Sequence, residues 1–163
     1  MVLTSSNTAL LQQVVDRLRT EFAVKDLGEL QFFLSIDVQR SRDGFYLSQQ
    51  RYAEDILECA GMANCRPAPT PIDAKGKLPA DDGDPVDDAK AYRSLAGVLQ
   101  YLTITRPDLA FAVQQACLHM HAPRGPHMAL LKRILPYVRG TSTMGLCLRA
   151  SPELTVTAYS DAD

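Results

Sequence analysis

Between residues 62 and 88 the chain carries Pro67, Pro69, Pro71, Pro79 and Pro85, together with Asp81, Asp82, Asp84, Asp87 and Asp88. Each proline fixes φ and lacks an N–H, so no continuous helix crosses this stretch and no central strand includes it. The clustered aspartates repel one another. The segment is therefore a linker or an extended crossover between two patterned halves. Its order lacks the alternating acidic ligands, sixth-position glycine and closing glutamate of an EF-hand calcium loop. A solvated linker is the expectation.

At 163 residues the chain amounts to about one domain on a scale of ~100–200 residues each. It is 46% apolar and 22% charged, which excludes wholesale disorder and leaves material for one core. No apolar run nears the ~20 residues that cross a bilayer, and residues 1–6 lack the basic and apolar regions of a secretory signal. Cys59, Cys65, Cys117 and Cys147 are scattered, without the spacing of zinc ligands or a disulfide scaffold. These features predict an intracellular protein, cytoplasmic or nuclear and not secreted, with no membrane partner.

Before the linker, residues 1–3 read as a short strand, and Ser5-Ser6-Asn7 offers N-cap chemistry for a helix over about 8–22. Leu10, Val14, Leu18 and Phe22 recur every fourth residue along it. The period then becomes two: Phe32, Leu34, Ile36 and Val38 alternate with Phe33, Ser35, Asp37 and Gln39. Asp43-Gly44 marks a turn, and Phe45-Tyr46-Leu47-Ser48 returns as the second strand of a hairpin. A helix follows from about Gln50 to Ala60, with Tyr52, Ile56 and Leu57 inward and Gly61 as its stop.

Beyond the linker three helices are expected. Tyr92, Leu95, Ala96, Leu99 and Leu102 line the first. Pro107 opens the second with Asp108 in its first turn, and Leu109, Ala112, Val113, Ala116 and Met120 form its inner side. Met128, Leu131, Leu135 and Val138 line the third, whose interior Pro136 predicts a kink. Leu146-Cys147-Leu148 and residues 154–159 read as two strands around Ser151-Pro152. The expected class is α+β: a β-hairpin with flanking helices, a proline/Asp-rich linker, a three-helix segment and a terminal β-hairpin.

Charge is uneven beneath a net −2. Between residues 91 and 150, Arg93, Arg106, Arg124, Lys132, Arg133, Arg139 and Arg149 face only Asp108. Such a stretch is either a solvated helical face or a local polyanion site. Catalytic signals are weaker. Cys117, His119 and His121 stand two residues apart, a spacing that points in different directions on a helix. There is no phosphate-binding loop or dinucleotide fingerprint. Asp161 and Asp163 project to one side if borne on a strand, about 6–7 Å apart. That is either a polar chain end or part of a divalent-metal site for phosphodiester chemistry.

Several segments, taken in order, resemble the Pol polyprotein of copia-type retrotransposons. They are residues 22–30 (FAVKDLGEL), residues 32–38 (FFLSIDV), Leu47-Ser48-Gln49-Gln50-Arg51-Tyr52 and Tyr92-Arg93-Ser94-Leu95-Ala96-Gly97. Tyr101-Leu102-Thr103-Ile104-Thr105-Arg106-Pro107-Asp108, Arg133-Ile134-Leu135 with Arg139-Gly140-Thr141, and Tyr159-Ser160-Asp161-Ala162-Asp163 complete the series. The ordered set runs over nearly the whole chain and is more specific than any single piece.

The resemblance implies a reverse transcriptase segment that begins just downstream of the polymerase's Tyr-x-Asp-Asp turn. Residues 1–62 would be a palm remnant, a primer-grip-like hairpin and the thumb start; 63–89 the linker; 90–143 the thumb and connection helices. Residues 144–163 would be the first strands of a truncated ribonuclease H-like domain, the start of its sheet. Asp161 would match its first metal-binding carboxylate, an incomplete catalytic site. Mg²⁺ would serve the intact family enzyme, with none held tightly by this fragment. The implied partner is an RNA/DNA template–primer duplex, met by His127, Lys132, Arg133 and Arg139. Departures from the family pattern are Ser35 for the usual glycine, Met128 for tryptophan and Pro136 for a basic residue. The expectation is a polymerase-family fragment inactive alone. Its rivals are a non-catalytic nucleic-acid-binding module using the basic helices 91–140 and an unrelated α+β interaction domain.

Overall fold

A computed structural model describes residues 1–72 and 79–149. In order these form helix α1 (Thr8–Glu21), strands β1 (Phe32–Phe33), β2 (Ile36–Ser41) and β3 (Gly44–Ser48), and helices α2 (Gln50–Cys59) and α3 (Ala89–Leu102). A 3₁₀ turn at Pro107–Leu109 leads into α4 (Ala110–Cys117), followed by α5 (Gly125–Gly140) and strand β4 (Gly145–Arg149). The architecture is mixed helix and antiparallel sheet, as the periodicities require.

Helix boundaries follow local chemistry. Asn7 Oδ1 accepts from the Ala9 and Leu10 amides at the start of α1, and Asp88 Oδ1 accepts from Ala91 at the start of α3. At the end of α2, Gly61 takes φ +67°. There the Gly61 and Met62 amides reach back to the carbonyls of Glu58 and Leu57, the Schellman pattern that only a residue tolerant of positive φ closes without strain. Helix α5 runs as one element through Pro136. The Pro136 carbonyl accepts from the Ala68 amide of the linker.

Among the described residues the buried apolar core comes from α2, α3, α4, α5 and Leu109. Ile56, Leu57, Tyr92, Leu99, Leu102, Leu131, Ile134 and Leu135 dominate it. Burying each such aliphatic side chain stabilises the fold by about 1.5–3 kcal/mol. The inward residues read from the 3.6 period in α2 to α5 belong to this core, with Tyr52, Leu95 and Met128 packed against it only partly buried. Met120 lies past the end of α4 and is only partly buried.

The four strands form one antiparallel sheet in the order β1-β2-β3-β4, and two expectations change here. Residues 1–3 form no strand and stand exposed. The alternating run from Phe32 to Val38 is two strands, because Leu34 and Ser35 both take positive φ, +48° and +61°. With Phe33 opposite Ile36, they make the two-residue turn whose twist matches a hairpin. Ser35 therefore occupies a backbone position that suits glycine, and the sequence alternation continued through it unseen. Residues 146–148 do form a strand, and β4 pairs with β3, Phe45 opposite Leu148 and Leu47 opposite Leu146. Glycine permits that approach, since a Cβ on Gly44 would strike the Leu148 carbonyl and one on Gly145 the Leu47 carbonyl. The second terminal strand, residues 154–159, lies outside the described residues.

Side chains alternate across a strand, and cross-strand partners share a face. One face of the sheet thus carries Phe33, Ile36, Val38, Phe45, Leu47, Leu146 and Leu148, and none of them is buried. Phe32 and Leu34, at β1 and its turn, are 58% and 64% exposed. Helix α1 likewise buries no residue. Leu10 and Phe22 of its apolar stripe face solvent.

Candidate nucleic-acid interface

The sheet is tied to the helical core by polar contacts. Gln49, between β3 and α2, is 2% exposed, and its Oε1 accepts from Thr105 Oγ1 at 2.9 Å. Its Nε2 has no hydrogen-bond partner among the described residues. Next to Thr105, the guanidinium of Arg106 is buried, with Nε and Nη2 donating to the two carboxylate oxygens of Asp108 at 2.9 and 2.7 Å. Nη1 and Nη2 also donate to the carbonyl and Oγ1 of Thr141. Tyr137 donates its hydroxyl to Asp108 Oδ2 at 3.0 Å. Burial pushes the Asp108 carboxyl up, but the hydrogen bonds and charge of Arg106, with the Tyr137 hydroxyl, outweigh it and hold the group below its usual range. Two sequence motifs thus meet at one buried cation. Arg106 carries structure rather than surface charge.

The same is true of most of the basic α5 region. Arg139 Nε donates to the Ala63 carbonyl at 2.7 Å, Arg133 Nη2 to Thr70 Oγ1 at 3.1 Å, and Arg124 Nη1 to the Gly83 carbonyl at 2.8 Å. Backbone bonds from Gly125 to Asp84 and from Val86 to Pro123 add to these. The linker is consequently strapped along α5 at both of its described ends, although its aspartates remain exposed. Solvation of the aspartates was legible in their clustering; anchorage was not, because its partners are backbone carbonyls and one hydroxyl far away in sequence.

Of the residues expected to meet nucleic acid, Lys132 is exposed and Arg139 is exposed but engaged by the linker. Arg133 is half-buried against Thr70. His127 is displaced from that face altogether. It is fully buried, accepting from the Arg124 amide at Nδ1, 3.0 Å, with Nε2 3.1 Å from the Pro79 carbonyl. That pairing fixes the neutral tautomer with the proton on Nε2. A histidine at the third residue of a helix caps the N-terminus here, so it touches no solvent phosphate. Its ring stacks on His119 with centroids 3.7 Å apart. Asp161, and Asp163 with it, lies outside the described residues.

Two arginines that the sequence reading passed over sit on the hairpin. Arg40 lies opposite Phe45 in the β2–β3 register, its guanidinium 5.3 Å from the ring centroid. It is 59% exposed and reaches Glu29 at 3.8 Å. Arg42 stands exposed in the turn between β2 and β3. The signal lay in the hairpin register, which places Arg40 and Phe45 side by side once Arg42-Asp43 is taken as the two-residue loop.

Among the described residues no three His, Cys, Asp or Glu side chains converge as a metal site would require. No helix there is long and apolar enough to cross a membrane.

Residues 1–74, which carry β1 to β3 and α2, match the family model for reverse transcriptase (RNA-dependent DNA polymerase). Over its full length the chain is 39% identical to a retrovirus-related Pol polyprotein from transposon RE2, and 40% identical to that from transposon RE1, both of Arabidopsis thaliana. It is 42% identical, again over its full length, to an uncharacterized mitochondrial protein of the same plant. The chain spans 68% of that mitochondrial protein and 11% of each polyprotein. No solved structure matches it significantly. The chain belongs to the reverse transcriptase family, as a segment related to transposon Pol polyproteins.

Proposed function

We propose that this chain holds template–primer duplex as part of a copia-type retrotransposon Pol polyprotein and does not by itself carry out nucleotide transfer. The observation that carries this reading is the end-to-end similarity to Pol polyproteins, joined to a sequence that contains no Tyr-x-Asp-Asp. In the intact family enzyme Mg²⁺ supplies charge stabilisation for phosphodiester chemistry. Among the described residues no group of three His, Cys, Asp or Glu side chains is placed to hold that ion.

What the chain's own residues offer is phosphate contact. Arg40 lies over the Phe45 ring beside Glu29 and is largely exposed, and Arg42 stands exposed in the adjoining turn. Lys132 on α5 provides a separate exposed cation. Such contacts position a duplex and carry no sequence information. Binding is then non-specific, with Kd in the ~10⁻⁴–10⁻⁶ M range at physiological salt. The test is RNA–DNA duplex affinity across a salt series for the parent and for Arg40→Ala with Arg42→Ala. A weaker, flatter salt dependence in the double variant supports the reading. Identical curves for the two proteins sink it.

A further inference from the structure

We propose that Thr70 is a phosphate-acceptor site for a proline-directed serine/threonine kinase, with Arg133 as the group that receives the phosphate. The sequence Pro67-Ala68-Pro69-Thr70-Pro71 sets the local shape. Prolines fix φ near −65° and push each preceding residue into extended backbone. Regular structure is correspondingly absent across these residues, and Thr70 is exposed. The segment is held in place from below: the Ala68 amide donates to the Pro136 carbonyl at 3.2 Å, and Arg139 holds the Ala63 carbonyl at 2.7 Å. An extended, exposed hydroxyl followed directly by proline is the form a proline-directed kinase takes into its cleft.

The second observation concerns the product. Thr70 Oγ1 already accepts from Arg133 Nη2 at 3.1 Å. In the transfer, the kinase carboxylate takes the Thr70 hydroxyl proton, Oγ1 attacks the γ-phosphorus of ATP, the bond to the β-phosphate oxygen breaks and ADP leaves. The phosphate brings nearly two negative charges and three acceptor oxygens to a place where a guanidinium already points. The linker is thereby fastened more tightly to α5, and this holds whether or not the chain binds nucleic acid.

The experiment treats the full chain with a purified proline-directed kinase and MgATP, then reads intact mass and phosphopeptides. Phosphate on Thr70 of the folded chain is expected, with loss at that position in Pro71→Ala and retention in Thr70→Ser. Phosphate only on Ser151 of the Ser151-Pro152 pair, or on Thr70 only after denaturation in urea, overturns the site. A second readout isolates the arginine. Phosphorylation is expected to raise the parent's Tm by roughly 2–4 °C and to leave Arg133→Gln unchanged. An equal rise in both proteins overturns the assignment of Arg133.

Discussion

Arg106 and Asp108, separated by one proline, form a two-pronged ion pair in which Nε and Nη2 each meet one carboxylate oxygen, at 2.9 and 2.7 Å. The arginine side chain is 2% exposed and the aspartate 36%. The asymmetry matters: loss of the carboxylate leaves a desolvated guanidinium whose hydrogen bonds, among the described residues, go to Thr141 alone. Removing one member of a buried pair costs about 3–5 kcal/mol, and the partial exposure of Asp108 lowers that toward about 3 kcal/mol. Asp108→Ala is therefore expected to lose about 3 kcal/mol in chemical denaturation. Arg106→Lys should not preserve stability, because an ammonium cannot reproduce the planar fork. Denaturation curves of both variants overlaying the parent would refute this role.

Ser35 pays a conformational cost that glycine does not. Its φ is +61° in the Leu34-Ser35 turn, a region that disfavours a residue bearing Cβ by about 1–2 kcal/mol. Ser35→Gly is expected to stabilise the chain by about 1 kcal/mol, reduced somewhat by the greater freedom of glycine when unfolded. The denaturation midpoint measures it, and a lower midpoint would contradict the turn assignment.

How far the sequence carried can be seen by comparing α3 with β4. Tyr92, Ala96, Leu99 and Leu102 are buried as the 3.6 period required, because a helix satisfies its backbone locally and needs only one apolar stripe. β4 was legible as a strand, but its partner was not. Pairing with β3 joins residues about a hundred positions apart, and nothing in Leu146-Cys147-Leu148 says which edge it meets. The basic residues show the converse. Arg133 and Arg139 read as free charge, yet they bind the linker through the Thr70 hydroxyl and the Ala63 carbonyl, long-range partners that leave no trace in composition.

The stacked His119 and His127 rings give the protein a pH dependence. Burial, followed by the unfavourable electrostatic coupling a protonated ring would have with His127 stacked on it, lowers the His119 pKa below its ordinary 6.5. The folded state thus binds fewer protons than the unfolded chain in this range. The contribution of His119 is complete above pH 6.5 and is lost as pH falls from there through the lowered folded value. Stability should fall on acidification through this window, and the fall should be shallower in His119→Gln. Equal pH profiles for the two proteins would discount the histidine pair.

The linker contacts separate two kinds of cation on α5. Arg139 donates to the Ala63 carbonyl at 2.7 Å, so its removal frees a segment of linker. Because the arginine is exposed, the loss of one charged hydrogen bond is expected to cost only about 1 kcal/mol. Lys132 is exposed on the same helix, and its removal should leave the denaturation midpoint within about 0.5 kcal/mol of the parent. Duplex binding should sort them the other way. Lys132→Ala is expected to flatten the slope of log affinity against log salt by about 0.9 on duplex DNA, the effect of one lost phosphate contact. Arg139→Ala should leave that slope nearly unchanged, because its Nε already serves the linker. Measuring denaturation and salt-dependent binding on both single variants decides the matter. If Arg139→Ala flattens the slope as much as Lys132→Ala, the arginine meets phosphate despite its linker bond, and the division of labour on α5 fails.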